Sequence, residues 1–193
     1  MYPAEAFYRS PITAVFTPEA QPGWPFYVVG VHGSWQGYVT REQQGVWLGR
    51  YTAALIDDPS TPDRLVLAGD MNGNPIAGDV PHDGLVATGH LAYLPKSNGG
   101  STAIGGATID HLYASSSLLA LEPMLSTTVI RNDPYGETPD DFRACCSDHF
   151  AVYVDLPVVT AVPTSGAPGV LVLLACASLV AAETTRRKLA RAP

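Results

Sequence analysis

The hydrophobic spacing of the chain changes between Phe26 and Asp70, and that change restricts the fold more than any other feature. Phe26-Tyr27-Val28-Val29-Gly30 is apolar and β-prone, and Pro22, Gly23 and Pro25 bound it upstream; this reads as a buried strand ending near His32. A polar loop from Gly33 to Val39 follows, and then Trp47, Leu48, Tyr51 and Leu55 recur at helical intervals. Thr40 stands three residues before Gln43, a capping-box spacing, so a helix is predicted over Arg41 to Ile56. Pro59, Ser60 and Pro62 end it, and Arg64 to Ala68 is a second β-prone run that stops at Gly69-Asp70. Strands and a long helix in one short span predict a mixed α+β fold.

From Met71 to Gly106 the chain is rich in Gly, Pro, Asn and Ser without a sustained period, which predicts surface loops with short elements around Leu91 to Leu94. Two further strand-like runs span Thr108 to Tyr113 and Phe150 to Leu156. After Pro157 the composition changes: residues 158–168 are a Pro/Thr/Gly/Ala linker, residues 169–185 are largely apolar, and residues 186–193 are basic, with Arg186, Arg187, Lys188 and Arg191. The expected organisation is therefore one globular unit over residues 1–157, a linker, a short membrane-anchor helix and a basic tail.

At 193 residues and 46% hydrophobic content the chain can bury one substantial core. Acidic residues outnumber basic ones, 18 to 11, a poor electrostatic match for a protein that grips long nucleic acid through its phosphates. A bound metal ion could still recruit a phosphate locally. Cys145 and Cys146 are adjacent and Cys176 lies in the apolar tail, so the three cysteines form no disulfide framework. Met1 to Glu5 has neither the positive nor the apolar region of a signal peptide.

Four clusters of acid, amide or imidazole groups stand at strand ends: His32; Asp70 with Asn72; Asp110 with His111; and Asp148 with His149. Such ends are where a rigid sheet presents reactive groups. Phosphate-ester hydrolysis needs an oriented water, a carboxylate to accept its proton, a divalent cation, and donors for the phosphoryl oxygens. The set contains each of the side-chain types. Each residue also has a plain structural reading: Asp70 as an Asx turn, His32 as a hydrogen-bonded core histidine, Asp110 as a loop cap. Two ionisable groups opening a strand, as in Ser147-Asp148-His149, need partners wherever they are buried.

In order and spacing, Leu67-Ala68-Gly69-Asp70-Met71-Asn72, Ile109-Asp110-His111-Leu112 and Ser147-Asp148-His149-Phe150-Ala151-Val152 resemble three motifs of the endonuclease/exonuclease/phosphatase superfamily. Val31-His32 and Arg41 with Gln44 agree with its strand end and its helix start. The resemblance covers about Tyr8 to Leu156 and implies part of a two-sheet sandwich of the deoxyribonuclease-I type. It implies that Asp70 orients and deprotonates water, that Asn72 donates to the nucleophile or the phosphoryl oxygens, and that His149, held by Asp110, contacts the scissile phosphate. His32 would contact the phosphate, and Asp148 would bind Mg²⁺ or Mn²⁺. His111 should point away from Asp110 if both lie on one strand. The implied substrate is a phosphate ester, with nucleic acid the leading choice; phosphatase or phospholipase-type action and ligand binding without catalysis are the alternatives. No obligate protein partner is implied.

The family's opening Asn strand and its metal-binding Gln-Glu pair have no counterpart here, and Phe7 to Ile12 resembles the middle of its domain. The expectation is an N-terminally truncated copy with weak metal binding and low or absent activity. The tail resembles bacterial C-terminal sorting signals, which implies a cell-envelope protein facing outward, its basic end in the cytoplasm. A buried C-terminal core helix is the other reading of the same apolar run.

Overall fold

A computed structural model of the chain describes residues 7, 9–19, 21–34, 38–74, 81–103, 106–130 and 149–156. The linker, the apolar run and the basic tail lie outside these residues, as do Cys145, Cys146 and Asp148. No described helix is long and apolar enough to cross a membrane.

Seven strands and three helices are described: β1 (Ile12–Phe16), β2 (Phe26–His32), α1 (Tyr38–Asp57), β3 (Leu65–Asp70), α2 (His82–Val86), β4 (Leu91–Tyr93), β5 (Asp110–Ser115), α3 (Ser116–Leu121), β6 (Thr127–Ile130) and β7 (Ala151–Val154). They form a five-stranded sheet in the order β1-β2-β3-β5-β4 and a two-stranded sheet of β6 and β7. Only β2 and β3 run parallel among these pairs, joined by α1, while the remaining pairs are antiparallel.

The central strands bury both faces, and their side chains alternate between two cores as strand geometry requires. Phe26, Val66, Ala68, Leu112 and Ala114 enter a core shared with α3 and with Val129, Val152 and Val154 of the second sheet. Val29, Val31, Leu65, Leu67 and Tyr113 enter a second core beneath Leu48 of α1 and Leu85 of α2. The central sheet is thus covered by helices on one side and by a small sheet on the other. Helices α1 and α2 meet closely because Gly45 presents no side chain: a Cβ there would collide with the Pro81 carbonyl.

The predicted strands and helix are present, with shifted ends. Helix α1 begins at Tyr38, so Thr40 lies in its first turn and the capping-box reading is not realised. The strand predicted over Thr108 to Tyr113 starts instead at Asp110, because the Ile109 and Asp110 amides donate to Thr102 Oγ1. The region predicted as surface loops contributes to the interior: Leu85 and Leu94 are fully buried. Strands β1 and β6 and helix α3 carried no periodic signal in the sequence. Most of β1 is exposed, and β6 has only four residues, so neither shows a sustained alternation.

Candidate active site

The sheet register places His32, Asp70 and Asp110 side by side. His32 pairs with Asp70 across β2 and β3, and Asp70 pairs with Asp110 across β3 and β5. All three end up at one edge of the sheet, on the face turned toward β6 and β7. Side-chain alternation along three strands, each ending at the same level, is what brings together residues up to 78 positions apart.

The turn after β3 is built around Asp70. The Asn72 amide donates to Asp70 Oδ1 at 2.8 Å, an Asx turn, and Asn72 Nδ2 donates to Asp70 Oδ2 at 3.1 Å and to the Gly33 carbonyl at 2.9 Å. Both hydrogens of the Asn72 side-chain amide are therefore used within the protein. Asn72 adopts φ 49°, a left-handed conformation that Asn tolerates better than most residues. Gly69 has φ 148°, and a Cβ there would collide with the Val31 carbonyl, so only glycine can precede Asp70 in this strand pairing.

Helix α1 secures the two loops that flank the site. Gln44, buried, accepts from the Ser34 amide at 2.9 Å, and Arg41 Nη1 donates to the Asn72 carbonyl. The pairing of Arg41 with Gln44 noticed in the sequence thus holds the loop after His32 and the loop after Asp70 at once.

His149 reaches the cluster from the approach to β7. Its Nδ1 donates to Asp110 Oδ2 at 2.8 Å. Thr102 makes that meeting possible. Its Oγ1 accepts from the Ile109 and Asp110 amides, and its carbonyl accepts from Phe150 N–H at 2.6 Å. Ala103 forms a bridge with His149. Thr102 carries no motif and was not singled out in the sequence; nothing local marks a threonine whose hydroxyl organises a strand start eight residues away.

Arg9 is a second residue that sequence reasoning missed. Its Nη1 lies 3.1 Å from His32 Nδ1. A guanidinium can only donate, so His32 Nδ1 accepts and the ring proton sits on Nε2, 3.9 Å from Asp70 Oδ2. Burial pushes the Asp70 carboxyl up to about 6, and the negative charge of Asp110 adds to the shift; the Asn72 hydrogen bonds and His149 oppose it. At neutral pH, Asp70 is an ionised carboxylate of raised basicity beside an Asp–His pair. Such a group can take up a proton.

Of the six predicted site residues, His32, Asp70, Asn72, Asp110 and His149 come together, and Asp148 lies outside the described residues. His111 faces the opposite side of the sheet from Asp110, as alternation requires. Among the described residues no group of three His, Cys, Asp or Glu side chains is placed to hold a metal ion.

No family profile matches the sequence, and no curated protein matches it. Solved structures do. The endonuclease/exonuclease/phosphatase from Bacteroides vulgatus superposes with TM-score 0.51 at 15% identity, covering 76% of this chain and 54% of that one. This fold is deoxyribonuclease-I-like. A functionally unknown conserved protein from Enterococcus faecalis V583 superposes with TM-score 0.51 at 16% identity over 75% of this chain and 54% of that chain. The human Nocturnin catalytic domain with bound sulfate gives 0.50 at 15% identity, over 75% and 51%. The chain spans about half the length of these proteins, and the deoxyribonuclease-I-like part described here is the part that carries the Asp70, Asp110 and His149 cluster.

Proposed function

We propose that this chain hydrolyses phosphate esters, with a nuclease or phosphodiesterase type of reaction as the leading assignment. The observation that carries the reading is the raised basicity of Asp70 at the strand end next to the Asp110–His149 pair. Asp70 takes the proton of a water whose oxygen attacks phosphorus in line; the new P–O bond forms as the ester P–O bond opposite breaks, and the leaving oxygen is protonated from solvent. His149, oriented through Nδ1 by Asp110, lies against the phosphoryl oxygens, and His32, its proton set on Nε2 by Arg9, donates to the phosphate from the other side. Asn72 holds the Asp70 carboxylate in place, since both of its side-chain amide hydrogens are engaged.

A divalent cation, Mg²⁺ or Mn²⁺, would polarise the phosphoryl oxygens when bound. The described residues do not by themselves make the oxygen-rich, near-octahedral set such an ion requires, and Asp148 is the ligand that the resemblance assigns. Weak metal binding is the expectation, and no step above depends on it. The net charge of −7 favours small or lipid phosphates over long nucleic acid, which supports phosphatase or phospholipase-type action as the second reading. Placement at the cell envelope rests on the apolar residues 169–185 and their basic flank; a periplasmic reporter fused to residues 158–193 that stays soluble would remove that part of the proposal.

The test is hydrolysis of bis-p-nitrophenyl phosphate, p-nitrophenyl phosphate and plasmid DNA by the full chain, with Mg²⁺ or Mn²⁺ and with chelator. Turnover that His149→Ala lowers by about a thousandfold supports the assignment. A folded protein that turns over none of them refutes hydrolysis by this chain and leaves a binding role.

A further inference from the structure

His111 takes no part in the chemistry above, yet it is a polar side chain only 1% exposed. It stands under the helices, and both of its ring nitrogens are engaged: Nε2 lies 2.8 Å from the Gly73 carbonyl and Nδ1 2.8 Å from Lys96 Nζ. An ammonium group only donates, so Nδ1 accepts from Lys96 and Nε2–H donates to Gly73. Burial and the charge of Lys96 hold the His111 pKa down to about 4, which agrees with a neutral ring in this tautomer. Gly73 directly follows Asn72, the left-handed residue whose amide groups grip Asp70.

Lys96 is itself held in place. Its Nζ donates to Tyr93 Oη at 3.2 Å and lies 5.5 Å from the centre of the Tyr93 ring, and its backbone forms a bridge with Thr127 of β6. Tyr93 also packs edge-on against His111, with ring centres 5.6 Å apart. A continuous line of contacts therefore runs from the second sheet through Lys96 and His111 to the far end of the turn that carries Asp70.

We infer that His111 and Lys96 are positioning residues, pinning the Gly73 carbonyl so that Asn72 keeps the Asp70 carboxylate set for proton transfer. The inference rests on Asp70 acting as the proton acceptor. The chemistry at position 111 is specific: the side chain must donate to a carbonyl on one side and accept from an ammonium on the other. Leucine fills the volume and does neither. Glutamine carries both groups on one amide and can do both.

The experiment compares His111→Leu, His111→Gln and Lys96→Met in the full chain by two measurements, amide hydrogen exchange at Asn72 and steady-state phosphoesterase kinetics. His111→Leu and Lys96→Met are expected to speed Asn72 exchange by at least about tenfold while Leu67 and Leu112 in the sheet keep their protection. The same variants lower kcat by about a hundredfold with little change in KM, and His111→Gln recovers most of both losses. Lys96 is only partly buried, so Lys96→Met keeps the inference testable even where His111→Leu fails to fold. Unchanged exchange at Asn72 in a folded Lys96→Met or His111→Leu protein overturns the inference. If the parent chain hydrolyses no phosphate ester, the functional assignment fails and the exchange rates still decide the positioning role.

Discussion

Asp110 and His111 are neighbours on β5, and the strand turns them into opposite kinds of group. Asp110 faces the second sheet, meets His149 at 2.8 Å and lies beside Asp70, whose carboxyl is raised to about 6. His111 faces the helices, where burial and Lys96 keep it neutral and fully hydrogen-bonded. One face of the sheet carries a carboxylate of raised basicity beside an Asp–His pair, while the other carries a histidine held neutral between an ammonium and a carbonyl. The contrast teaches that alternation along one strand can give adjacent residues opposite environments, one beside a raised-pKa carboxylate and the other locked in a buried hydrogen-bond network.

The largest test of that contrast is Asp70→Asn, which removes the proton acceptor and leaves the support intact. Turnover should fall by about a thousandfold, while stability changes in the other direction. The folded-state pKa of Asp70 is raised above the unfolded value of 3.8, so the ionised carboxylate is disfavoured in the folded protein above about pH 6 and the disadvantage disappears below pH 3.8. Urea unfolding should therefore show Asp70→Asn more stable than the parent by up to about 3 kcal/mol at pH 7.5, with the gap largely closing at pH 4. A gap of the same size at both pH values would mean that the buried charge is not its cause.

A smaller effect is expected from Thr102→Val, which keeps the shape of the side chain but strips the acceptor from the buried Ile109 and Asp110 amides. The loss should be about 1–3 kcal/mol of stability by urea titration. The separation of Asp110 from His149 should loosen as well, read as weaker protection of the His149 Nδ1 proton in NMR. A fully protected proton would place the organising role elsewhere on the chain.

The smallest effect sharpens the comparison by pH alone. If Asp70 accepts the proton, kcat/KM falls tenfold per pH unit below about pH 6, and His111, neutral down to about pH 4, adds no second limb above pH 5. Two limbs in that window, the second lost in His111→Gln, would show that the far face titrates as well.

Much of this site was legible because its residues sit in short motifs at strand ends. The run ending in Gly69-Asp70-Met71-Asn72 announced both the strand and the turn, and the structure adds why its glycine is required: the Val31 carbonyl occupies the place of a Cβ. The plain reading of Asp70 as an Asx turn holds, and that turn aims the carboxylate to which the proposed function assigns proton transfer. Helix α1 was legible from its spacing, although it starts two residues before the supposed cap.

Thr102, Arg9 and Lys96 could not be found the same way. Each acts through a partner 8 to 23 residues away, and each stands in a stretch without period or motif. By itself the sequence determined the strand and helix types, the order of the reactive residues and the strand face on which each could lie, because hydrophobic period and side-chain alternation are local properties. Only the tertiary structure decided that His32, Asp70 and Asp110 share one level across three strands, that His149 meets Asp110, and that His111 bonds the Gly73 carbonyl from the reverse face. Those outcomes depend on strand register and on burial, which belong to the packed chain as a whole.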